Sequence, residues 1–337
     1  MKKSFILLAL TICIASTSFA KIWRINNTGV PADFTTAQAA NDNASVVNGD
    51  TLHFEPSGTS YGEFSLTKRL VVIGNGYFLG SGIGGANPDL QVNTAASVVS
   101  NMYLGSGAAN SVIMGMTISS TIYIGYGTST NNILFRRNRV LGTVYFYNSG
   151  STNVQVLQCY IDGGIAQGGT HTNIMIANNI ILAGTSFDGD DNGTFQNNIM
   201  HASGAAYGSA FQNFTLRSNI MVAGSISTLT NCLVESNISY SNYFGTANNN
   251  QANIDMSTVF VGYPTQGTNS NDGRFVLKNP GPGITTGYGS VDCGAYGNTT
   301  PYVKSGMPDV PSVYKLSVPP IVTNNVLSVI ISTKINQ

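Results

Sequence analysis

The sequence has 337 residues, with 15 basic and 15 acidic side chains and a formal net charge of zero. This balance excludes the strong electrostatic field with which nucleic-acid-binding and lipid-binding proteins attract their partners. Charged residues make up only 9% of the chain, against about 25% in ordinary domains, so the sequence predicts a polar but uncharged surface.

Residues 1–20, MKKSFILLALTICIASTSFA, have the pattern of a secretory signal peptide. A lysine pair precedes an apolar run that starts at Phe5, and small residues at Ser18 and Ala20 come before a predicted cut at Lys21. No later stretch is long and apolar enough to span a bilayer. We therefore expect an exported protein, located in the periplasm, at the cell surface or outside the cell.

A short helix is predicted near the start of the mature chain. The segment DFTTAQAANDNA (33–44) offers Asp33 as an N-cap and apolar residues at Phe34, Ala37 and Ala40, a spacing typical of an amphipathic helix. We expect residues 33–45 to cap the N-terminal end of the fold, because an open sheet edge invites strand addition.

The middle of the chain repeats with a period near twenty. Six segments share the pattern Asn, apolar, any, apolar, any, any, then Asn or Cys: NILFRRN, NVQVLQC, NIMIANN, NGTFQNN, NFTLRSN and NCLVESN, which start at residues 132, 153, 173, 192, 213 and 231. A short period with alternating apolar residues and no helical pattern favours a parallel β-solenoid, in which each repeat is one coil. The sequence predicts an all-β, single-stranded, right-handed parallel β-helix of about ten coils.

Two features of the repeat have predicted positions inside or at the corners of the coil. The apolar second and fourth places, such as Ile133 and Phe135, are expected to face inward. The closing asparagines are expected to stack as a ladder at a tight turn, where Asn tolerates the left-handed conformation: Asn138, Asn179, Asn198, Asn219 and Asn237. Cys159 takes this place in its own coil, and Cys232 takes an inward one.

The segment FDGDDNG (187–193) concentrates Asp188, Asp190 and Asp191 in a chain that is otherwise poor in charge. His171 falls at the place equivalent to Asp190 one coil earlier, so the two backbones should be about 5 Å apart. Three interpretations follow. An acidic turn is favoured, since Asp and Gly are common turn residues. A calcium site formed by the three aspartates comes next, and acid-base catalysis by Asp188, Asp190 and His171 is third.

Two further groups have alternative roles. Arg136, Arg137 and Arg139 could bind an acidic sugar chain, although a solvated corner at Arg136 and Arg137 is favoured. The residue after each closing Asn or Cys forms an apolar column that is predicted to point out of the coil, under a C-terminal segment or a loop or else as a contact surface: Tyr160, Ile180, Ile199, Ile220 and Ile238.

The remainder of the chain, residues 301–337, is punctuated by prolines and ends in the β-prone run VLSVIISTKI (326–335). It is too short to bury a core of its own. We expect it to pack back on the helix as a C-terminal β cap or edge strand, beside a single β-helix domain over residues 21–300.

Both ends of that domain resemble a known group. The stretch GDTLHFEPSGTSYGEFSLTKRLVVIGNG (49–76) and the closing VDCGAYG (291–297) are similar to the first and last coils of pectate-lyase-like right-handed parallel β-helix proteins. The asparagine-bounded copies resemble the repeats of the same superfamily. The resemblance spans roughly residues 22–300 and implies the fold. It leaves function open, since the superfamily includes polysaccharide lyases, glycoside hydrolases and adhesins.

The catalytic patterns of the superfamily are incomplete here. The polygalacturonase-like pattern expects Asn-x-Asp one coil before the aspartates and Gly-His-Gly one coil after them, where this chain has GGTHTN and GSAFQN. We therefore expect a non-catalytic scaffold that binds carbohydrate or another surface polymer and needs no cofactor unless calcium. The alternative is a polysaccharide lyase or glycoside hydrolase.

Overall fold

The computed structural model describes residues 20–80, 85–202, 208–321 and 325–335. Residues 1–19 of the predicted signal peptide lie outside these ranges. The described chain forms an all-β, right-handed parallel β-solenoid of about nine coils, so the predicted fold class is confirmed. Within the described ranges, no helix has the length and apolar character needed to cross a bilayer.

Strands are numbered β1 to β28 in chain order, and three sheets wind around the solenoid. The first sheet is parallel and has ten strands: β1 (Ile22–Ile25), β2 (Thr51–Phe54), β4 (Val71–Ile73), β7 (Val112–Met114), β10 (Leu134–Arg136), β13 (Gln155–Leu157), β16 (Ile174–Ala177), β19 (Gly193–Gln196), β22 (Phe214–Arg217) and β25 (Leu233–Glu235). The repeat motifs lie on this sheet. Leu134 pairs with Gln155 and Phe135 with Val156, as the spacing of the motifs predicts.

The second sheet has eight short parallel strands: β5 (Val98–Val99), β8 (Thr117–Ile118), β11 (Arg139–Val140), β14 (Tyr160–Ile161), β17 (Ile180–Ile181), β20 (Ile199–His201), β23 (Ile220–Ala223) and β26 (Ile238–Ser239). The third has five: β3 (Phe64–Leu66), β6 (Met102–Leu104), β9 (Ile122–Ile124), β12 (Val144–Phe146) and β15 (Ile165–Gln167). A bridge between Ile165 and Thr185 continues it into three more strands: β18 (Ser186–Phe187), β21 (Gly208–Gln212) and β24 (Ser225–Thr230).

The interior of the coils is packed with apolar side chains. Ile133 and Phe135 are buried, which confirms the predicted inward places, and phenylalanines contact one another from coil to coil. The rings of Phe146 and Phe187 are 5.3 Å apart, and those of Phe187 and Phe214 are 5.1 Å apart. Full burial of such a side chain stabilises the fold by about 1.5–3 kcal/mol, so the interior stack holds neighbouring coils together.

A short helix, α1 (Ala37–Asp42), covers the first edge of the third sheet. Gln38 accepts a hydrogen bond from Ser65 N at 2.8 Å, and Asn41 accepts one from Thr67 N at 3.0 Å. These side chains satisfy backbone groups that would otherwise be an open strand edge. The predicted N-cap was wrong: Thr36 caps the helix, because its hydroxyl accepts from Ala39 N, whereas Asp33 accepts from Arg24 N.

The closing asparagines Asn138, Asn179, Asn198, Asn219 and Asn237 are fully buried. Each side-chain oxygen accepts a hydrogen bond of 2.8–3.0 Å from the backbone N–H at the equivalent place one coil earlier. The predicted left-handed conformation was assigned to the wrong residue. The residue before each asparagine has a positive φ, for example 55° at Arg137, and this turn directs the next side chain inward.

The coils end at β26, and residues 256–302 fold back along the outside of the second sheet. The apolar column Tyr160, Ile180, Ile199, Ile220 and Ile238 is buried against this covering segment. Phe260, Phe275 and Tyr302 are among the covering side chains. The contact-surface interpretation of the column was therefore wrong, and the motif VDCGAYG belongs to the covering segment rather than to a strand. Three short 3-10 helices lie in this region or next to it: Met256–Thr258, Gly273–Phe275 and Lys304–Gly306; a fourth, Ser106–Ala108, precedes β7.

The C-terminal residues form an antiparallel pair, β27 (Pro311–Ser317) and β28 (Ile330–Ile335). The pair is attached to the loop that precedes β5, where Val92 N donates to Val313 O at 2.9 Å and Lys334 Nζ donates to Asp89 O at 3.1 Å. Asp309, just before the pair, forms ion pairs with Arg136 and Arg137.

Candidate functional site

The aspartates of FDGDDNG do not converge on one point. Asp188 and Asp190 are exposed. Asp188 Oδ1 accepts from Gln167 Nε2 at 3.2 Å, while Asp190 Oδ1 accepts from Gln212 Nε2, also at 3.2 Å. Their partners are neutral amides on opposite neighbouring coils, so each carboxylate is held separately at the surface.

His171 and Asp191 lie inside. The His171 ring is fully buried and packs 5.3 Å from the ring of Phe146. Burial lowers the pKa of His171 to about 4, with the backbone carbonyl of Phe146 acting in the opposite direction. Asp191 Oδ1 accepts from His171 N at 2.6 Å, and Oδ2 has no hydrogen-bond partner in the described part of the chain. Burial raises the pKa of Asp191 to about 6.

The three candidate catalytic side chains, those of Asp188, Asp190 and His171, therefore do not lie on the same side of the backbone of the coil. A general acid must reach the proton that it transfers within hydrogen-bond distance, and the His171 ring faces the core while Asp188 and Asp190 face solvent. Among the described residues, no group of three or more His, Cys, Asp or Glu side chains is arranged to hold a metal ion. Asp188, Asp190 and Asp191 thus lie in one turn, but their carboxylates do not converge on a common site.

The prediction of a solvated corner was wrong for Arg137, which is buried, whereas Arg136 is partly exposed. Arg137 is 5% exposed, and it donates to Gln158 Oε1 at 2.9 Å and to Met307 O at 3.0 Å. Burial, followed by the charge of Arg136, lowers its pKa to about 10. Both guanidinium groups are engaged by Asp309. The corner therefore fastens the C-terminal segment.

The outer face of the third sheet carries a group of side chains that the sequence reasoning missed. Five tyrosines contact one another across three successive coils and define what we call the tyrosine face: Tyr103, Tyr123, Tyr126, Tyr145 and Tyr147. Strand register puts Tyr103, Tyr123 and Tyr145 directly above one another. A signal was present, because these tyrosines recur at 20 and 22 residues, close to the period of the coils.

The tyrosine face is open to solvent. Tyr126 is 47% exposed and Tyr147 is 40% exposed, while the three strand tyrosines are half-buried by their neighbours. The rings of Tyr103 and Tyr123 stack at 5.1 Å with planes 8° apart, and Tyr145 meets Tyr123 edge-on at 6.0 Å. Outward rings grouped in this way form an apolar surface with hydroxyl groups around it, which is unusual on a protein that has no partner for it.

A trough lies next to the tyrosine face and includes the residues that follow Tyr145 in the same column of the third sheet. Tyr145 pairs with Ala166 in the next coil, and Ile165 bridges to Thr185 in the coil after that, so the outward side chains change from rings to small residues. The resulting cavity has a volume of about 410 Å³, within the usual range of ligand sites, about 300–1,000 Å³. Its lining includes Thr143, Asp162, Gly163, Ala166, Gly184 and Ser186.

Glycine is required at position 168, next to Tyr145 and Tyr147. A Cβ atom at Gly168 would lie 2.7 Å from the Tyr145 hydroxyl and 2.8 Å from Tyr147 O. The Tyr145 ring therefore lies over Gly168 in the next coil, where a larger residue would displace the ring. This contact fixes the position of the Tyr145 ring at this end of the tyrosine face.

The charged groups in contact with the tyrosine face or lining the trough are acidic, and one of them, Asp162, is paired with Arg139. Glu63 accepts from the Tyr103 hydroxyl at 3.4 Å and from Asn101 Nδ2 at 3.0 Å. Asp162 lines the trough and bonds to Arg139 Nε at 3.1 Å, and burial raises its pKa against the opposing effect of Arg139. In the described ranges, no lysine or arginine stacks on the five rings or lines the trough.

Comparison of the chain with protein-family models, with curated proteins and with solved structures finds no match. Any functional assignment therefore depends on the arrangement of the chain's own residues.

Proposed function

We propose that this protein is an exported, non-catalytic scaffold that binds a polysaccharide on its tyrosine face. The observation that carries the proposal is the contact of five outward tyrosines over three coils, with Tyr126 and Tyr147 about half exposed. The signal-peptide pattern of residues 1–20 supports export. The fold and the motifs at residues 49–76 and 291–297 support membership of the pectate-lyase-like superfamily.

The chemistry of a sugar fits such a surface. One face of a pyranose ring presents C–H groups and its rim presents hydroxyls. The face can pack on the exposed rings of Tyr126 and Tyr147 while the hydroxyls reach phenol and amide groups at the edge. Successive strands are about 4.8 Å apart, so the rings follow one another at short intervals along the axis. A rigid coil stack presents its rings already ordered, which reduces the entropy cost of binding.

Catalysis by Asp188, Asp190 and His171 is not part of the proposal, because the histidine ring lies in the core and the two aspartates bond to different coils. The experiment nevertheless includes this alternative. Release of reducing ends or unsaturated products from neutral and acidic polysaccharides, with calcium and with chelator, would be compared for the wild type and Asp190→Ala.

The test is binding of the wild type, Tyr123→Ala and Tyr288→Ala to a panel of neutral and acidic polysaccharides, by pull-down and by calorimetry. Tyr288 is a matched control, because it is 51% exposed and stacks with Arg217 away from the tyrosine face. We expect the wild type and Tyr288→Ala to bind alike and Tyr123→Ala to bind at least about tenfold more weakly, or about 1.4 kcal/mol. Equal binding by all three, or product release that Asp190→Ala abolishes, would refute the proposal.

A further inference from the structure

From the junction of the tyrosine face with the trough, we infer that the bound polymer is an uncharged glycan chain lying parallel to the solenoid axis, with the sugars beyond Tyr145 seated in the trough. This inference rests on the proposed function. It adds the direction of the chain, a second subsite and the class of sugar.

The direction follows from the register of the strands. Tyr103, Tyr123 and Tyr145 occupy one column of the third sheet, and Ala166 and Ser186 continue the same column in the next two coils. The column runs along the axis because parallel strands stack in that direction. The rings extend over three coils along the axis but only from Tyr145 to Tyr147, 5.5 Å, across the sheet. A chain parallel to the axis therefore meets more of them than a chain that crosses the sheet.

The subsite follows from the change in side-chain size along that column. Rings raise the surface over three coils, and Ala166 and Ser186 lower it over the next two, where they line a cavity of about 410 Å³. Its polar groups include the Thr143 and Ser186 hydroxyls and the Asp162 carboxylate, which are suitable partners for sugar hydroxyl groups. A few polar groups in a shaped cavity are the usual composition of a small-molecule subsite.

The class of sugar follows from charge. Glu63 stands at one end of the tyrosine face, Asp162 lies in the trough, and Asp188 bonds to Gln167 on the trough strand. Arg139 is already paired with Asp162 at 3.1 Å. An acidic sugar would therefore bring its carboxylate beside Glu63 and Asp188 without a free lysine or arginine among the residues that line the trough, and an unpaired like charge is unfavourable. A neutral hexose or pentose polymer has no such repulsion.

The experiment measures the dependence of affinity on chain length by calorimetry. The probes are trimers and hexamers of β-1,4-linked glucose, xylose and mannose, together with hexagalacturonate. Ala166→Leu and Ser186→Leu each fill the trough with an outward side chain, and Ala39→Leu on the exposed side of α1 is the matched control. Tyr123→Ala tests the tyrosine face separately.

For the wild type and Ala39→Leu, we expect one neutral hexamer to bind at least tenfold more tightly than its trimer and than hexagalacturonate. Each trough variant should reduce the affinity for the hexamer to that for the trimer, and should leave the affinity for the trimer unchanged. Tyr123→Ala should weaken the binding of both the hexamer and the trimer. If both trough variants still bound the hexamer more tightly than the trimer, the trough would not be a subsite and that part of the inference would be wrong. Hexagalacturonate binding as tightly as the neutral hexamer would overturn the sugar class. Absence of binding by every oligosaccharide would refute the proposed function itself.

Discussion

The rings of Tyr103 and Tyr123 lie in adjacent coils with their centroids 5.1 Å apart and their planes 8° from parallel. The stacking is outside the coil, so it does not fill the core, and both rings keep an exposed edge. Burial, followed by the neighbouring Glu63 carboxylate, raises the pKa of Tyr103, so its hydroxyl group remains a donor at neutral pH.

Tyr147→Ala should separate binding from stability. Tyr147 is 40% exposed, and surface substitutions of this kind change the free energy of unfolding by about 0.5 kcal/mol or less. We expect that small change in urea unfolding, together with about fivefold weaker binding of a neutral hexasaccharide, measured by calorimetry. A loss of stability with unchanged affinity would show that the tyrosines serve only to hold the coils together.

Asn198→Ala should destabilise the solenoid strongly. The Asn198 side chain accepts from Asn179 N and Nδ2 at 3.0 and 2.9 Å, and donates to Ile176 O and Asn219 Oδ1 at 2.9 and 3.1 Å. Each buried group left without a partner costs about 1–3 kcal/mol, so we expect a loss of at least about 3 kcal/mol in urea unfolding.

The control for Asn198→Ala is Asn173→Gly. Asn173 belongs to a second ladder on the outside of the coils, where it donates to Asn153 Oδ1 at 2.5 Å, and its φ of 53° suits glycine. Water replaces the lost hydrogen bonds there, so the loss should stay below about 1 kcal/mol. Equal losses in the two variants would contradict the assignment of the buried ladder as the stronger one.

Asp191→Asn should increase stability at neutral pH and leave it unchanged at pH 4. Burial raises the pKa of Asp191 from 3.8 to about 6, so the folded state binds this proton more tightly than the unfolded state does. The corresponding stabilisation is complete below pH 3.8 and is lost as the pH rises through 6. At pH 7.5 the buried charge should cost about 3 kcal/mol, which asparagine avoids while still accepting from His171 N.

The measurement is urea unfolding of the wild type, Asp191→Asn and the exposed control Asp190→Asn between pH 4 and 7.5. His171 acts in the opposite direction, since its pKa is lowered to about 4, so the difference between Asp191→Asn and the wild type is the informative quantity. A difference that does not depend on pH would mean that Asp191 is ionised in the folded protein.

Asp309→Asn should loosen the C-terminal segment. Asp309 pairs with Arg136 and with the buried Arg137, and removing its charge leaves two guanidinium groups without a counter-ion. We expect about 1–2 kcal/mol of destabilisation and faster limited proteolysis near residues 305–321. Glu235→Gln, which breaks a comparable pair with Arg217 away from this segment, should not accelerate cleavage there. Identical cleavage rates for Asp309→Asn and the wild type would refute the role of the pair.

The sequence predicted the coils well because their determinants are local and periodic. Ile133 and Phe135 alternate within one motif, and Asn138 and Asn219 recur at a fixed place of the motif. The period alone therefore indicates which residues stack on each other in adjacent coils. The N-cap was misplaced by three residues because Asp33 and Thr36 are both good caps, and only the contact of Asp33 with the Arg24 backbone distinguishes them.

The other features of the structure depend on contacts between residues that are far apart in the sequence, and the repeat does not predict such contacts. Arg137 and Asp309 are 172 residues apart, so the buried corner was mistaken for a solvated one. The covering segment 256–302 has no repeat, and its position over Ile180 and Ile199 follows from packing. The tyrosine face was missed because Tyr123 and Tyr145 lie outside the asparagine motif, although their spacing follows the coils.

The most direct test of the account is an NMR titration of the protein carrying ¹³C-labelled tyrosine rings with the neutral hexasaccharide that binds best. We expect the signals of Tyr103, Tyr123, Tyr126, Tyr145 and Tyr147 to shift in a saturable way while those of Tyr240 and Tyr288 stay fixed. Shifts confined to tyrosines outside the tyrosine face, or no saturable shift at any tyrosine, would contradict the claim that this surface binds glycan.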